Sequence, residues 1–387
     1  MWARSHRVVA VKWPAGFSSA GIACGLKPSG GLDLGVLTCD VPAAWAGTFT
    51  KNAAAAAPVH WCRARGDDDV RAVVVNSGNA NACTGRSGEA AVAATVAAAA
   101  RVLHCDERQI LVASTGLIGT PLPVERITGA LPEASALLSE DVGDFAASIM
   151  TTDKSLKTSS WSGSATVVGV AKGAAMLAPN MATMLAFIAT DAEVARDDLR
   201  KITSAAVAQS FDRVCVDACE STNDAVICLA SGRRPVGIDD LFEGLTKVCR
   251  DLAYQMVTDA EGGTKLLRIR VSGASDEPSA VALGRSIASS NLWRAAVHGG
   301  DPNWGRVLAA MGSLDRALAL GEIDVSLGGT TVFRAGEPVD VGQAAHEEMR
   351  ASEIVVSCVV GGGPGEAEIL STDLSPEYVT LNAEYTT

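Results

Sequence analysis

The chain has 387 residues, 48% of them hydrophobic, with 38 glycines and a formal net charge of −12. That length accommodates two to three domains of about 150 residues, or one large α/β unit with a shared core. The acidic balance, without any basic stripe, argues against nucleic acid as a partner. The 10 cysteines are scattered, the nearest two being Cys215 and Cys219, which argues against a zinc site and a disulfide framework and fits a reducing, cytoplasmic setting.

The N-terminal stretch MWARSHRVVAVKWPAGF is basic but has neither a long apolar run nor a small-residue cleavage site, so it does not read as a signal peptide. VRAVVVNSGNANACTG, from Val70 to Gly85, reads as a strand running into an Asn/Gly-rich loop. GEAAVAATVAAAARVL, from Gly88, reads as an Ala-rich helix capped near Ser87. Its apolar run stops at Arg101 and is too short to span a bilayer. QILVASTGLIG, from Gln109, reads as a second strand ending in a Ser-Thr-Gly turn. SATVVGVAKG (from Ser164) and MLAFIAT (from Met184) read as neighbouring core strands, and PNMATMLAF, from Pro179, as the buried entry into the latter.

Two amphipathic helices follow, RDDLRKITSAAVAQSF and IDDLFEGLTKVCRDLAYQMV, both with acidic first turns that suit the positive end of the helix dipole. Strands are expected at TKLLRIRV, EIDVSLG and EIVVSCVV, the last joined to EAEILST through GGGPG as a hairpin. In GDPNWGR, Asp301 reads as a helix N-cap with Pro302 at N1. LSPEYVTLNAEY, with Ser375 as N-cap and Pro376 at N1, closes the chain with a short helix. Neighbouring strands and runs of helices predict sheets layered with helices rather than a purely parallel sheet.

The five histidines stand in no nucleophile-elbow or zinc pattern, and neither GIACG nor GGGPG carries a phosphate-loop lysine. Thr183 offers a different chemistry. Were the Ala182–Thr183 bond to break, Thr183 would hold a free α-amine of pKa about 8 beside its own hydroxyl, a base and a nucleophile in one residue. The break itself can come from that hydroxyl attacking the Ala182 carbonyl. Against this stands the plain reading of Thr183 as a β-branched strand residue. STG at Ser114 suits an oxyanion site or an ordinary turn. VTDAEGGTK sets Asp259 and Glu261 in a glycine turn that either binds an amine or caps a loop, and STND, from Ser221, reads as a turn.

In order along the chain, GFSSAGIACGLK, FTKNAAAAAPV, VNSGNANACTG, STG, MTTD, AKGAAMLAPNMATML, STNDAV, DAEGGTK, DPNWGR and TDLSPEYVTLNAEY resemble the glutamate N-acetyltransferase (ornithine acetyltransferase) family over nearly the whole chain. The resemblance implies an αββα sandwich of the N-terminal-nucleophile type. It implies self-cleavage into an α chain of residues 1–182 and a β chain of 183–387 that form one intertwined unit, assembled as an α2β2 heterotetramer. Thr183 would be the nucleophile of cleavage and of transfer, and Thr115 and Gly116 the oxyanion hole. Thr152, Lys172, Glu261, Asn382 and Thr387 would join Thr183 in binding substrate. The implied reaction is ping-pong transfer of acetyl from N2-acetylornithine to L-glutamate in arginine biosynthesis, with acetyl-CoA a further donor in some members. No metal or cofactor is required. The rival readings are a secondary-metabolism paralogue of the clavulanic-acid type, an N-terminal Thr amidase or aminopeptidase, and an unprocessed binding protein. The sequence departs from the family pattern at Ala175, at Ala218 and Cys219 where Gly and Asp are usual, and at Arg294 and Ala295 where a Lys-Thr pair is usual.

Overall fold

The computed structural model describes residues 11–176 and 184–384. Ala182, Thr183 and Thr387 lie outside the described residues, as does the first half of PNMATMLAF.

The strands of the main body are β1 (Phe17–Ile22), β2 (Leu34–Phe49), β3 (Val70–Asn79), β4 (Ile110–Leu117), β5 (Lys157–Ser162), β6 (Thr166–Lys172), β7 (Leu185–Glu193) and β8 (Ala225–Pro235). Its helices are α1 (Ala57–Arg63), α2 (Arg86–Leu103), α3 (Val124–Ala136), α4 (Gly143–Ile149), α5 (Arg196–Ala208) and α6 (Ile238–Thr258). Strand β2 belongs to two sheets. Its first half, Leu34–Thr38, pairs with β3, while Ala44–Phe49 pair with β8, with a register shift between Thr38 and Ala43. One sheet is thus β1, β2, β3, β4, and the other continues from β2 through β8, β7, β6 and β5.

Strand alternation sorts the apolar side chains into layers. Leu37, Val73, Val75, Leu111 and Ala113 of the first sheet face Val168, Val170, Leu185, Phe187, Ile227 and Leu229 of the second in one core. The opposite parity of the first sheet, Val36, Val74, Ile110 and Val112, packs on Val92, Val96, Ile127 and Leu131 of α2 and α3. That of the second, Val167, Ala186, Ile188, Val226 and Cys228, packs on Leu199 and Ile202 of α5 and Leu241, Leu245, Val248 and Leu252 of α6. This is a four-layer αββα sandwich. Because every strand face is covered, the central strands are apolar on both sides, as VVV in β3 and LAFIA in β7 are. Each Val, Leu, Ile or Phe buried there contributes about 1.5–3 kcal/mol.

The second unit is a six-stranded sheet of β9 (Leu266–Ala274), β10 (Asp324–Leu327), β11 (Thr330–Arg334), β12 (Glu337–Pro338), β13 (Glu353–Val359) and β14 (Gly365–Thr372), in the order β12-β11-β10-β13-β9-β14. Helices α7 (Glu277–Ala288), α8 (Asn291–Gly299) and α9 (Trp304–Leu314) cover one face, around Trp293, Ile269 and Val356. Helix α10 (Ala344–Glu348) lies beside it, and α11 (Pro376–Glu384) ends the described chain.

Four local expectations need correction. GGGPG is not a hairpin loop: β9 lies between β13 and β14, parallel to one and antiparallel to the other, and the glycines carry the chain across its end. A Cβ at Gly363 would stand 2.1 Å from the Ala274 carbonyl oxygen. Helix α2 begins at Arg86 with Gly85, φ +57°, as N-cap, and the Ser87 hydroxyl donates back to the Thr84 carbonyl instead of capping. Asp301 belongs to the end of α8, where its N–H reaches the Ala296 carbonyl beside the left-handed Gly300, and α9 starts only at Trp304. Ser114-Thr115-Gly116 is not a terminal turn but lies inside β4, paired with Asn76, Ser77 and Gly78 of β3. The strand continues there because two glycines meet: Gly116, φ +128°, has no Cβ to collide with Gly78, whose carbonyl carbon would be 2.4 Å away.

Candidate active site

Thr115 and Lys172 come from opposite sheets. Thr115 follows the inward parity of Leu111 and Ala113, and Lys172 that of Val168 and Val170, so both side chains belong to the space between the two layers. Both are buried, each only 2% exposed. The Lys172 ammonium donates to the Thr151 hydroxyl at 3.1 Å, so the contact falls on the neighbour of Thr152, itself half-buried. Burial pushes the Lys172 pKa down, and Lys157 adds to this; the carboxylates of Asp153, Asp224 and Glu261 oppose it.

Asp153 anchors this corner. It accepts from the Lys157 ammonium at 2.6 Å, the Gly173 N–H at 2.7 Å and the Thr151 N–H at 3.0 Å. Burial alone would raise its pKa. The Lys172 and Lys157 charges and the Gly173 N–H together outweigh burial and hold it below the ordinary carboxylate value. Asp259, at the end of α6, takes the other side of the Lys157 ammonium at 2.5 Å and the Lys154 and Ser155 N–H groups. Of the two acids in the glycine turn, Asp259 is therefore structural. Glu261 is placed differently: its N–H bonds the Ala174 carbonyl at 2.9 Å, two residues beyond Lys172, and its Oε2 accepts from Asn382 Nδ2 at 3.0 Å.

Helix α11 is what brings Asn382 there. The Ser375 hydroxyl caps it by accepting from the Tyr378 N–H at 3.1 Å and donates to the Gly262 carbonyl at 2.6 Å. Tyr378 reaches the Asp217 carboxylate at 3.4 Å, and the same Asp217 oxygen accepts from the Met176 N–H at 2.6 Å. The C-terminal helix is thus tied to both flanks of the Lys172–Glu261 corner.

The segment Ser221–Asp224, read as a plain turn, is a buried polar junction. Asn223 donates to the Ala80 carbonyl at 2.6 Å and to the Ser114 carbonyl at 2.9 Å, bracing the backbone that leads into Thr115 and Gly116. Asp224 accepts from the Met184 N–H at 3.0 Å, and the Ala225 N–H returns to the Met184 carbonyl at 3.2 Å. The polar run standing directly against the apolar strand AVICLA was the signal available for these two residues. The Ser221–Asp224 junction in this way ties the end of β4 to Met184, the residue that follows Thr183 in sequence, and the β6–β7 ladder sets Lys172 opposite Leu185.

The departures have definite places. Arg294 is buried, and its guanidinium donates to the Thr372 and Asp373 carbonyls at 2.8 and 3.3 Å. Ala295 and Cys219 are exposed and Ala175 is half-buried. Ala218 holds φ +59°. A separate groove of about 760 Å³ lies between α6 and the polar face of the second sheet, lined by Arg250, Tyr254, Arg268 and Glu368, and contains none of the residues above.

The sequence profile of the ArgJ family matches residues 18–387. The chain belongs to the ArgJ family. It is 41% identical over 385 residues to the "Arginine biosynthesis bifunctional protein ArgJ" of Thermobifida fusca, covering 98% of this chain and 100% of that protein. It is 41% identical over 383 residues to the protein of the same name from Thermus thermophilus, with 98% and 100% covered. The crystal structure of an arginine biosynthesis bifunctional protein from Bacillus halodurans is 31% identical, with a TM-score of 0.49, covering 51% of this chain and 98% of that one. The two proteins from Thermobifida fusca and Thermus thermophilus, both named for arginine biosynthesis, are matched along their whole length. No helix among the described residues of this ArgJ-family chain is long and apolar enough to cross a membrane.

Proposed function

We propose that this chain is a glutamate N-acetyltransferase of arginine biosynthesis that cuts itself between Ala182 and Thr183 and then carries acetyl on the Thr183 hydroxyl. One observation supports it above the others: the Ser221–Asp224 junction braces the Ser114 carbonyl ahead of Thr115–Gly116 and holds the N–H of Met184, directly after Thr183 in the chain, while the β6–β7 ladder sets Lys172 opposite Leu185.

In this reading the α-amine of Thr183, neutral in part near its ordinary pKa of about 8, takes the proton of its own hydroxyl. The hydroxyl oxygen attacks the acetamide carbonyl of N2-acetylornithine. Thr115 and the Gly116 N–H hold the oxyanion, the proton passes to the leaving amine, and ornithine departs. Glutamate's amine then attacks the Thr183 ester and the alcohol is regenerated. Lys172 pairs with a substrate carboxylate and Glu261, steadied by Asn382, with a substrate ammonium; Thr152 and Thr387 complete the substrate contacts. Acetyl-CoA as a second donor, the two chains 1–182 and 183–387, their α2β2 assembly and a cytoplasmic location belong to the same proposal, and the relatives' name, bifunctional, supports a second activity.

The test is the denatured intact mass of the purified protein, with and without brief exposure to N2-acetylornithine. Fragments meeting at Ala182/Thr183, with one acetyl on the Thr183 fragment, are expected, and Thr183→Ala should leave one uncut chain. A single uncut wild-type chain would sink the mechanism. Thr115→Ala should lower kcat by about 10²–10³, the usual loss for an oxyanion donor. Release of acetate at the same rate without glutamate would mark a hydrolase instead.

A further inference from the structure

The corner that holds Lys172 is built more closely than a lone substrate contact requires. The Lys172 ammonium donates to the Thr151 hydroxyl at 3.1 Å. Asp153 grips the chain at both ends of that bond. Its Oδ1 accepts from the N–H of Gly173, the residue after Lys172, at 2.7 Å, and its Oδ2 from the N–H of Thr151 at 3.0 Å. One carboxylate therefore fixes the backbone from which the lysine side chain springs and the backbone that carries its acceptor. The Asp153 side chain is closed to solvent.

The same carboxylate carries a second cation. Lys157, its side chain likewise closed to solvent, donates to Asp153 Oδ1 at 2.6 Å and to Asp259 Oδ2 at 2.5 Å. Asp259 also takes the Lys154 and Ser155 N–H groups, and it stands two residues ahead of Glu261. Charges thus alternate along a buried line of Lys172, Asp153, Lys157 and Asp259, joining the α4–β5 link, the end of β6 and the end of α6. Desolvating such ions costs about as much as their attraction returns, so stability alone is a weak reason for the row. Holding two recognition groups at a set distance is a stronger one. We propose that Asp153 is a positioning residue for Lys172 and, through Lys157 and Asp259, sets the spacing between Lys172 and the Glu261 turn. The inference rests on the substrate contacts proposed above for Lys172 and Glu261.

The placement also keeps Lys172 charged. Burial pushes its pKa down, and Lys157 adds to this; Asp153 is the largest opposing charge, ahead of Asp224 and Glu261. Asp153 itself faces Lys172 and Lys157, and its charge reaches Lys27. Without the Asp153 charge Lys172 would lose its proton, and its hold on a substrate carboxylate, at lower pH.

The test uses Asp153→Asn, which keeps the volume and the Oδ1 acceptor for Gly173 but gives up the charge and the Thr151 bond. Folding is read by melting temperature, scission by intact mass, and transfer by the pH profile of kcat/KM for N2-acetylornithine. In cut, folded protein KM should rise about tenfold while kcat changes less than about threefold, the pattern of lost binding shared by substrate and transition state. The basic limb should move to lower pH by about half a unit or more. Thr151→Val, at an exposed position, removes only the acceptor and should raise KM about threefold. Cut, folded Asp153→Asn with an unmoved basic limb would overturn the proposal whatever its KM, since disturbed packing alone can raise KM. If Asp153→Asn does not fold, Thr151→Val decides: a raised KM upholds the proposal and a wild-type KM overturns it. A wild-type KM in Lys172→Met would fail the substrate role given to Lys172 in the preceding subsection, whereas a raised KM there beside an indifferent Asp153→Asn fails this inference alone.

Discussion

Ala218 sits at φ +59°, a left-handed conformation in which a Cβ meets the following carbonyl at a penalty of about 1–2 kcal/mol. Glycine avoids the penalty but loses about 0.4–1 kcal/mol through the greater freedom of its unfolded chain. Ala218→Gly is therefore expected to stabilise the protein by about 0.5–1 kcal/mol, seen as a higher urea midpoint at unchanged slope; a lower midpoint would show that the Ala218 methyl has a compensating contact. The strain is held by Asp217 next door, whose carboxylate takes the Cys219 N–H at 3.2 Å and the Met176 N–H at 2.6 Å. Asp224 carries a pH signature of its own. Its folded pKa lies above the unfolded value of about 3.9, so the folded state binds the extra proton and stability is lost as pH rises from about 4 through the folded pKa. In the uncut Thr183→Ala background, the melting temperature of the Asp224 protein should fall with rising pH relative to its Asp224→Asn counterpart. Parallel curves would mean that the carboxyl is not desolvated. Glu261 stood out as an acid in a glycine turn, with amine binding and loop capping both open, whereas Lys172 was singled out only through the family resemblance. Asn223 and Asp224 were read as a turn, because four polar residues in a row have the composition of a solvated loop, and their abutting the apolar strand AVICLA does not by itself distinguish a buried junction from an exposed one.

At the scale of elements, α11 depends on Gly262 more than on its own sequence. Gly262 holds φ +64°, and a Cβ there would stand 2.4 Å from the Tyr378 backbone nitrogen. Gly262→Ala should therefore push α11 off the Glu261 turn and release the Asn382–Glu261 bond while sparing the sandwich core. The expected outcome is a several-fold higher KM for the amino-acid substrates with scission retained; wild-type KM would show that α11 does not serve substrate binding. The helix was readable from Ser375 and Pro376, since capping is a local matter. Its docking site was not, because it rests on a contact between residues 113 positions apart, Ser375 with Gly262. The GGGPG crossing failed for the same reason: loop composition suits a hairpin equally well, and only the placement of β9 between β13 and β14 decides otherwise.

At the scale of the molecule, the layered class was legible because alternation and covered faces are written in the strands themselves. The double membership of β2 was not read: in LGVLTCDVPAAWAGTF the one mark of the handover is Pro42, which cannot donate to a ladder and stands within the register shift between Thr38 and Ala43. The ladders around the proposed cut have an outcome for kinetics. Val167 to Lys172 pair with Thr190 to Leu185 across that point, and Ala44 to Phe49 pair with β8 beyond it. A severed chain would have no separable halves, since parting them means opening the sandwich core. Unfolding in denaturant would then release two diffusing pieces, and recovery would become a second-order encounter whose half-time lengthens on dilution. The Thr183→Ala chain, still one molecule, should recover at a rate indifferent to its concentration. The mature protein would be assembled once, while still a single thread, and held thereafter by the height of its unfolding barrier.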